Sequence, residues 1–240
     1  MNIFKLTKAA RKALPLKTCG AVIVAAGSAS RMGGIDKVMA PLGGEPMIKR
    51  TVQAFQECDA VESIVIVTRE DLILPIRDLC QQFPKVRTVV AGGKSRQESV
   101  ERGLNALDDK VKLVAVHDGA RPFVTWQLID WVIRAANTYG AAAPAIPVKD
   151  TIKTVEGGIV VNTPERAKLR AVQTPQVFDI ALLRGALVKA KTDGAEVTDD
   201  CSAVERLGMK IKIVEGDEKN IKVTTPMDLK IAEMLLEEMK

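Results

Sequence analysis

The stretch that decides the fold is AVIVAAGSASRMGG, residues 21–34. Its first six residues form an unbroken apolar run, which ends at Gly27 in a loop of small residues. An apolar run of this length without alternation predicts a strand that is buried on both faces. A small-residue loop that leaves such a strand is a setting in which backbone N–H groups hold phosphate.

Apolar runs and helical patterns alternate after this loop. We expect strands at residues 63–67, 88–91 and 113–116, and helices at residues 45–57, 71–83 and 95–107. Because the strands are apolar throughout, they belong to a sheet with helices on both faces, which predicts a mostly parallel, Rossmann-like α/β fold. Ligands of such a sheet bind at the carboxyl ends of its strands. Small and polar residues cluster at three of these ends: Ala25–Gly27, Gly92–Gly93 and Asp118–Arg121.

A different pattern occupies residues 141–175. A strand with two prolines leads to two short segments, 151–155 and 159–161, that flank the turn Glu156-Gly157-Gly158 and predict a β-hairpin. Because this hairpin is inserted in an α/β domain and is polar on one face, we expect it to pack outside its own sheet. The remaining elements that we expect are a helix at 179–191, a strand at 210–214 and a helix that begins at Thr225.

Charge is distributed unevenly along the 240 residues. The chain has 35 Lys and Arg against 30 Asp and Glu, and residues 1–18 hold five of the basic residues and no acidic one. Residues 19–240 are therefore balanced in charge. We interpret residues 1–18 as a basic, non-targeting extension and residues 19–240 as one domain. The excess of basic residues thus does not indicate a face that binds nucleic acid.

Composition disfavours two further classes of function. No apolar run approaches the roughly 20 residues of a membrane-spanning helix, so we expect no membrane partner. With five Phe, two Trp and one Tyr, the chain has few rings on which to stack bases, so we expect no nucleic-acid partner. The four cysteines show neither a CxxC pair nor metal-site spacing, which predicts reduced thiols in a cytoplasmic protein.

The loop after the first strand lacks two well-known phosphate-binding motifs. It has no Gly-Lys-Ser/Thr as in a Walker A loop, and Ala29 and Met32 stand where a dinucleotide-binding loop has glycines. It carries instead Arg31 and, six residues later, Lys37. Two cations at such a loop favour phosphate binding, although a small-residue turn with solvated charges fits the spacing equally well.

Polar residues follow the predicted strand at 113–116. We interpret His117 as a structural residue whose hydrogen bond positions its neighbour. Asp118, followed by two small residues and Arg121, suits Mg²⁺ bound by one protein carboxylate together with substrate phosphates. An ion pair with a neighbouring acid is the alternative for Arg121.

Further motifs accompany these residues along the chain. In order they are Ala25-Ala26-Gly27-(x3)-Arg31-Met32 with Lys37; Gly92-Gly93, Arg96 and Ser99; His117-Asp118-(x2)-Arg121-Pro122; Asp150-Thr151; Gln173-Thr174-Pro175-Gln176; Thr198-Asp199; and Asn220-Ile221-Lys222-Val223-Thr224. From about residue 20 to the C-terminus, this series resembles the 2-C-methyl-D-erythritol 4-phosphate cytidylyltransferase family. The resemblance implies transfer of CMP from CTP to methylerythritol phosphate, with release of pyrophosphate, in non-mevalonate isoprenoid precursor synthesis.

The resemblance also implies roles for individual residues. It places Ala25, Ala26, Gly93 and Ser99 around the cytosine, and Gly27, Asp118 and Gly119 near the ribose. It makes Arg31, Lys37 and Lys222 catalytic cations and Asp118 the ligand of Mg²⁺, the implied cofactor. It assigns to the acceptor substrate Arg121, Thr151, Arg166, Thr174, Thr198 and Lys222.

An inserted arm at about residues 148–175 interlocks with a second subunit in that family. The resemblance therefore implies a homodimer with composite active sites, in which Thr151 and Arg166 serve the partner's site. This use of the arm agrees with a hairpin that has no place in its own sheet.

Some positions depart from the family pattern. Ala29 and Asp36 stand where Gly and Pro are common, and Lys94 stands where an acid is frequent. Asp217 is a possible second metal ligand, but no spacing argument assigns it. Two alternative functions stay open at this point: a ribitol-5-phosphate cytidylyltransferase and a non-catalytic nucleotide-sensing module. The Ala-Ala-Gly loop and residues 165–172 resemble the methylerythritol enzyme better than the ribitol one.

Overall fold

In the computed structural model, the residues described are 15–27 and 37–239. The strands, in chain order, are β1 (Cys19–Ala25), β2 (Pro41–Leu42), β3 (Glu45–Pro46), β4 (Val61–Thr68), β5 (Val86–Ala91), β6 (Leu113–Asp118), β7 (Ala141–Pro147), β8 (Thr154–Glu156), β9 (Ile159–Asn162), β10 (Arg170–Val172), β11 (Gln176–Asp179) and β12 (Lys212–Glu215). The helices are α1 (Met47–Glu57), α2 (Ile73–Cys80), α3 (Arg96–Asn105), α4 (Trp126–Tyr139), α5 (Ile180–Thr192), α6 (Asp200–Glu205) and α7 (Pro226–Glu238), with 3₁₀ turns at Glu70–Leu72 and Arg166–Lys168.

Eight of these strands form one sheet, in the order β10-β7-β11-β6-β1-β4-β5, with β12 paired to β7. Strands β6, β1, β4 and β5 are parallel to one another. Because β11 is antiparallel to both β6 and β7, β7 runs in the same direction as β6, and β12 is parallel to β7. Six strands of the described sheet therefore end at the same edge, which we call the carboxyl edge.

Side chains that alternate along the strands fill a separate apolar core on each face of the sheet. On β1, Ile23 points into the core beneath α1, α2 and α4, whereas Val22 points into the core beneath α3, α5 and α6. Burying one such aliphatic side chain contributes about 1.5–3 kcal/mol. The predicted α/β sheet with helices on both faces is thus confirmed.

A third, smaller core lies apart from the sheet. It contains Leu42 of the β2–β3 hairpin, Met47 of α1, Phe123 of the loop after β6, Val223 before α7 and Leu236 within α7. The core thus packs together the segment after Lys37 and the segment after Lys222. The two predicted catalytic lysines are therefore attached to one packed unit.

The predicted hairpin at 151–161 is present as β8 and β9, and residues 149–163 are all exposed. The predicted basic extension lies largely outside the described residues, because these begin at Pro15. Lys17 is attached to the domain, since its backbone N–H donates to Asn137 Oδ1 at 3.1 Å and its ammonium pairs with Asp179 at 3.3 Å. Among the described helices, none has the length and apolar character required to cross a membrane.

Several observed elements are absent from the sequence prediction. Helix α4 begins with Thr125, whose side chain accepts from the Leu128 N–H, and ends at Gly140 with a positive φ of 82°. Both are ordinary helix-boundary signals that the prediction did not use. Helix α6 and strands β10 and β11 are too short to produce a clear periodicity.

Candidate active site

The end of β1 forms one wall of the site through close packing against Gly119. The Gly119 N–H donates to the Val24 carbonyl at 2.8 Å, and the buried Thr51 hydroxyl donates to the Gly119 carbonyl at 3.1 Å. A Cβ atom at Gly119 would lie 3.0 Å from Ile48 Cδ1 and 3.1 Å from Ala25 Cβ. The absence of a side chain at residue 119 therefore lets the chain after β6 lie against the end of β1.

The neighbouring wall comes from the loop between β5 and α3. The Gly93 N–H donates to Ser99 Oγ at 3.1 Å, and this hydroxyl donates to the Ser95 carbonyl at 2.9 Å. A Cβ atom at Gly92 would overlap Ala26 Cβ and lie 2.9 Å from Ser99 Oγ. Ala26, Gly93 and Ser99, which the resemblance assigns to the base, therefore lie together around Gly92, where the packing leaves no room for a methyl group.

Lys37 lies beside the start of the small-residue loop that follows β1. A Cβ atom at Gly27 would be 3.2 Å from Lys37 Nζ, so the ammonium lies against the Gly27 backbone. Arg31, Ala29 and Asp36 lie outside the described residues. The structure thus places one of the two predicted loop cations at the carboxyl edge.

Asp118, the last residue of β6, is the centre of an ion cluster. Its Oδ2 atom lies 2.9 Å from Lys222 Nζ and 3.5 Å from Arg121 Nε. Its Oδ1 atom lies 3.9 Å from Arg96 Nε. Three cations from three separate segments therefore face one carboxylate that is 8% exposed. The ion pair proposed as the alternative for Arg121 is present, and its acid is Asp118.

The cluster keeps Asp118 ionised. Burial by itself disfavours the charged form, but Lys222, Arg96 and Arg121 together outweigh burial and lower the pKa of Asp118 to about 2. Asp118 is therefore an anion at neutral pH, surrounded by excess positive charge. Such a site attracts anionic ligands.

His117 and Thr174 connect the ion cluster to the loop before β11. Thr174 Oγ1 accepts from the Asp118 N–H at 3.1 Å and lies 3.0 Å from His117 Nδ1. His117 Nε2 lies 3.3 Å from the Arg121 carbonyl, which can only accept. A neutral His117 therefore carries its proton on Nε2 and accepts the Thr174 hydroxyl proton at Nδ1. His117 is fully buried and positions its neighbours, as the sequence analysis predicts.

A buried amide network holds the loop that carries Lys222. Gln173 Nε2 donates to the Asp217 carbonyl at 2.8 Å, and Gln173 Oε1 accepts from the Asp217 N–H at 3.2 Å. Asn220 Nδ2 donates to the Thr174 carbonyl at 2.9 Å, and the Asn220 carbonyl accepts from Arg121 Nη1 at 2.7 Å. Asp217, which the sequence analysis left unassigned, takes part in this network through its backbone.

The segment before α6 provides a further part of the edge. Thr198 is exposed and precedes Asp199, which caps α6 by accepting from the Ser202 N–H at 2.8 Å. Gln176 Nε2 donates to Asp199 Oδ2 at 2.7 Å. Asp200, the next residue, pairs with Arg96 at 2.8 Å. Through Arg96, the segment that contains Thr198 is linked to Asp118.

Two predicted site residues lie elsewhere, on the inserted arm. Thr151 is exposed, and Arg166 Nη1 donates to the Lys149 carbonyl at 3.0 Å. Arg166 is not among the described ion-pair partners of Asp118, and no described contact joins Thr151 to the cluster. Within one chain, therefore, the structure joins Arg121, Thr174 and Lys222 at the cluster but does not bring Thr151 and Arg166 to it.

Arg96, Gln173 and Asn220 belong to the motifs of the chain, but neither the local pattern nor the resemblance assigns a role to any of them. Their partners are 22 to 104 positions away along the chain, and no local spacing predicts such contacts. Arg96 and Asn220 each follow a predicted strand by five or six residues, which is a usable signal for a binding site, whereas Gln173 follows no predicted strand.

The fold agrees with solved structures of known enzymes. A crystal structure of 4-diphosphocytidyl-2C-methyl-D-erythritol synthase from Anaerococcus prevotii matches with a TM-score of 0.85 and 32% identity, covering 92% of this chain and 96% of that one. A crystal structure of 2-C-methyl-D-erythritol 4-phosphate cytidylyltransferase from Thermus thermophilus matches with a TM-score of 0.75 and 35% identity, covering 90% and 98%.

Sequence comparison leads to the same enzymes. A relative from Symbiobacterium thermophilum, named 2-C-methyl-D-erythritol 4-phosphate cytidylyltransferase, is 46% identical over 219 residues, which are 90% of this chain and 92% of the relative. The family model for 2-C-methyl-D-erythritol 4-phosphate cytidylyltransferase matches residues 19–238. The chain belongs to this family. It is therefore a cytidylyltransferase that transfers CMP from CTP to methylerythritol phosphate in isoprenoid precursor synthesis. The matches give no support to the ribitol enzyme or to a nucleotide-sensing module.

The buried histidine of this cytidylyltransferase predicts a specific dependence of stability on pH. Burial lowers the pKa of His117 to about 3, against about 6.5 in the unfolded chain. Since the unfolded chain binds the proton first, stability falls as pH drops from about 6.5 towards 3. As the pH drops from 6 to 4, we expect the free energy of unfolding of the wild-type protein to fall more steeply than that of His117→Gln. The two slopes are expected to differ by up to about 1 kcal/mol per pH unit.

Urea unfolding in EDTA, at several pH values for both proteins, measures this difference. The lowered pKa of Asp118 affects stability below about pH 5, but both proteins contain Asp118, so its contribution cancels in the difference between them. Parallel pH profiles for wild type and His117→Gln would show that His117 takes up its proton equally in both states.

Proposed function

We propose that the chain catalyses cytidylyl transfer by charge stabilisation in the cation cluster around Asp118, without a covalent intermediate. The observation that carries this proposal is that Lys222, Arg121 and Arg96 surround one buried carboxylate at the carboxyl edge. Ala26, Gly93 and Ser99 lie together at the same edge, and we assign the cytosine to a position beside them. A nucleotide and an anionic acceptor are thus expected to meet beside the cluster.

The reaction itself needs little from the protein except positioning and charge. An anionic phosphate oxygen of methylerythritol phosphate attacks the α-phosphorus of CTP, and a new P–O bond forms. The bond from that phosphorus to the bridging oxygen of the β-phosphate breaks, and pyrophosphate leaves with the electron pair. Because the attacking oxygen is already an anion, no general base is required. The main barrier is repulsion between anions, which fixed cations reduce.

We assign the cations by their place along the edge. Lys37 lies against Gly27 at the end of β1, so we assign it to the phosphates of CTP. Lys222 we assign to the reacting phosphate oxygens, since its ammonium lies 2.9 Å from Asp118 Oδ2 and its side chain is 41% exposed and so accessible to a substrate. Arg31 is proposed for the leaving pyrophosphate on the family resemblance, because it lies outside the described residues.

The donor set at Asp118 fits a magnesium ion. Mg²⁺ is usually held by one or two carboxylates together with substrate phosphates, and Asp118 supplies one ionised carboxylate. Among residues 15–27 and 37–239, no group of three His, Cys, Asp or Glu side chains stands ready to hold a metal without substrate. We therefore propose that Asp118 holds Mg²⁺ only in the presence of CTP. When bound, the metal neutralises phosphate charge.

The acceptor is proposed to lie beside Arg121, Thr174 and Thr198. Arg121 is held by the Asn220 carbonyl and Asp118, and Thr174 is held by the Asp118 N–H. These contacts support rigid binding groups rather than solvated side chains. Thr151 and Arg166 complete this part of the site in our proposal, and they come from a second subunit.

The arm supports a homodimer. Its apolar side chains are exposed in the single chain, including Ile159 at 72% and Val155 and Val160 at 53% each. Contiguous exposed apolar residues on an extended hairpin indicate a protein interface. We propose that two arms interlock and bring Thr151 and Arg166 to the partner's cluster.

The compartment that we propose is the cytoplasm. The four cysteines are free and buried, in agreement with the prediction of reduced thiols. A non-targeting role for the basic extension at residues 1–18 stays a prediction, since residues 1–14 lie outside the described part of the chain.

Removal of the loop lysine tests the catalytic assignment. We expect Lys37→Ala to lower kcat for pyrophosphate release from CTP and methylerythritol phosphate by about 10²–10³, because one preorganised charge on the phosphates is lost. Urea unfolding is expected to remain close to that of wild type. EDTA is expected to abolish turnover in both proteins, and added Mg²⁺ to restore it.

Lys110→Ala is the matched control, because Lys110 precedes β6 and so lies at the opposite edge of the sheet. It removes the same charge and is expected to leave kcat unchanged. Equal kcat for Lys37→Ala and wild type would remove Lys37 from the catalytic machinery.

Mixing two inactive variants tests the shared site. In our proposal Lys37 and Arg166 of one chain serve different active sites, so a dimer of Lys37→Ala with Arg166→Ala contains one intact site. Random pairing gives about half mixed dimers, and about a quarter of the wild-type activity is expected to return. The measurement is pyrophosphate release after co-refolding equal amounts of the two variants.

Separate affinity tags on the two variants verify that mixed dimers form. If Lys37 and Arg166 of one chain served the same active site, every active site in the mixture would carry one of the two substitutions. A purified mixed dimer without activity would therefore contradict the composite site, while the cytidylyltransferase assignment would stand.

A further inference from the structure

Besides its contact with Asp118, Arg96 makes a second contact, with Asp200, to which neither the proposed reaction nor the family resemblance assigns a role. It is the first residue of α3, three positions after Gly93 of the base pocket. Its Nη2 atom lies 2.8 Å from Asp200 Oδ2, and its Nε atom lies 3.9 Å from Asp118 Oδ1. One guanidinium thus faces two carboxylates, which come from β6 and from the first turn of α6.

The contact with Asp200 links Arg96 to the part of the site that we propose for the acceptor. Asp200 is 1% exposed and directly follows Asp199, the N-cap of α6. Burial raises the pKa of Asp200, and Arg96 is the main group that opposes this shift. Arg96 therefore attaches α6, and with it the segment that contains Thr198, to the ion cluster around Asp118.

The contact with Asp118 concerns the orientation of the carboxylate. Lys222 and Arg121 both face Oδ2, whereas Arg96 faces Oδ1. Cations on both oxygens restrict rotation about the last bond of the side chain. Because a guanidinium is planar and donates in several fixed directions, it connects two carboxylates in a defined geometry that an ammonium does not provide.

We propose that Arg96 is a positioning residue, which fixes the Asp118 carboxylate relative to α6 and so keeps the nucleotide and acceptor subsites aligned. This inference rests on the proposed function, because it needs Asp118 in the active site. Arg96 itself lies next to the base pocket, but its role is exerted through the two carboxylates. Without it, Asp118 would still be ionised by Lys222 and Arg121 but would be held on one oxygen only.

A purely structural alternative is that Arg96 only neutralises the buried Asp200. The two roles differ when both members of that pair are made neutral. Arg96→Gln leaves Asp200 as a buried carboxylate without its partner, whereas Arg96→Gln/Asp200→Asn leaves two neutral side chains of similar size. The double variant therefore removes the burial problem but still lacks the contact with Asp118.

The experiment compares wild type, Arg96→Gln, Asp200→Asn and the double variant. Thermal unfolding is measured in EDTA, and kcat and KM for both substrates are measured with Mg²⁺. We expect Arg96→Gln to lower the Tm by about 5–10 °C, because a buried charge loses its partner. The double variant is expected to regain most of this Tm, while its kcat remains about tenfold or more below wild type.

Recovery of both Tm and kcat in the double variant would overturn the proposal and leave Arg96 with a structural role only. Asp118→Asn separates this outcome from failure of the proposed function. If Asp118→Asn keeps the wild-type kcat, the assignment of Asp118 to the active site is wrong. If Asp118→Asn loses activity but the double variant is fully active, only the role of Arg96 is wrong.

Discussion

The site depends on one interaction, the attraction between the Asp118 carboxylate and the cations Lys222, Arg121 and Arg96. Burial opposes the charge of Asp118, and the cations more than compensate for it. The same attraction holds the cations, which would otherwise repel one another at the carboxyl edge. A site of this kind is preorganised for anions before any substrate arrives, which is what phosphoryl-group transfer requires of a protein.

The sheet topology makes this interaction possible. Because six described strands end at one edge, the segments after β1, β5, β6, β7 and β12 all begin there. The antiparallel strand β11 starts at the same edge, so it brings Gln173 and Thr174 to the cluster. Buried amides then fix the loops: Asn220 links the Lys222 loop to Thr174 and Arg121.

Part of this arrangement was predictable from the sequence. The apolar run into Gly27, the hairpin around Gly157 and Asp118 at a strand end are local features, and the structure contains all three. The partners of Asp118 were not predictable in the same way. Lys222 is 104 positions away and Arg96 is 22 away, and their meeting depends on strand order and register. The resemblance supplied Lys222 as a site residue, but the ion pair itself, and the link from Arg96 to Asp200, required the fold.

Asp118 and its cations act as one coupled unit. The most direct test is a double-mutant cycle for Asp118→Asn and Arg121→Gln, since both side chains are at most 12% exposed. The measurement is the free energy of urea unfolding of the four proteins without metal or substrate. A coupled unit predicts an interaction energy of about 1 kcal/mol or more between the two changes. Effects that add to within about 0.5 kcal/mol would contradict the account.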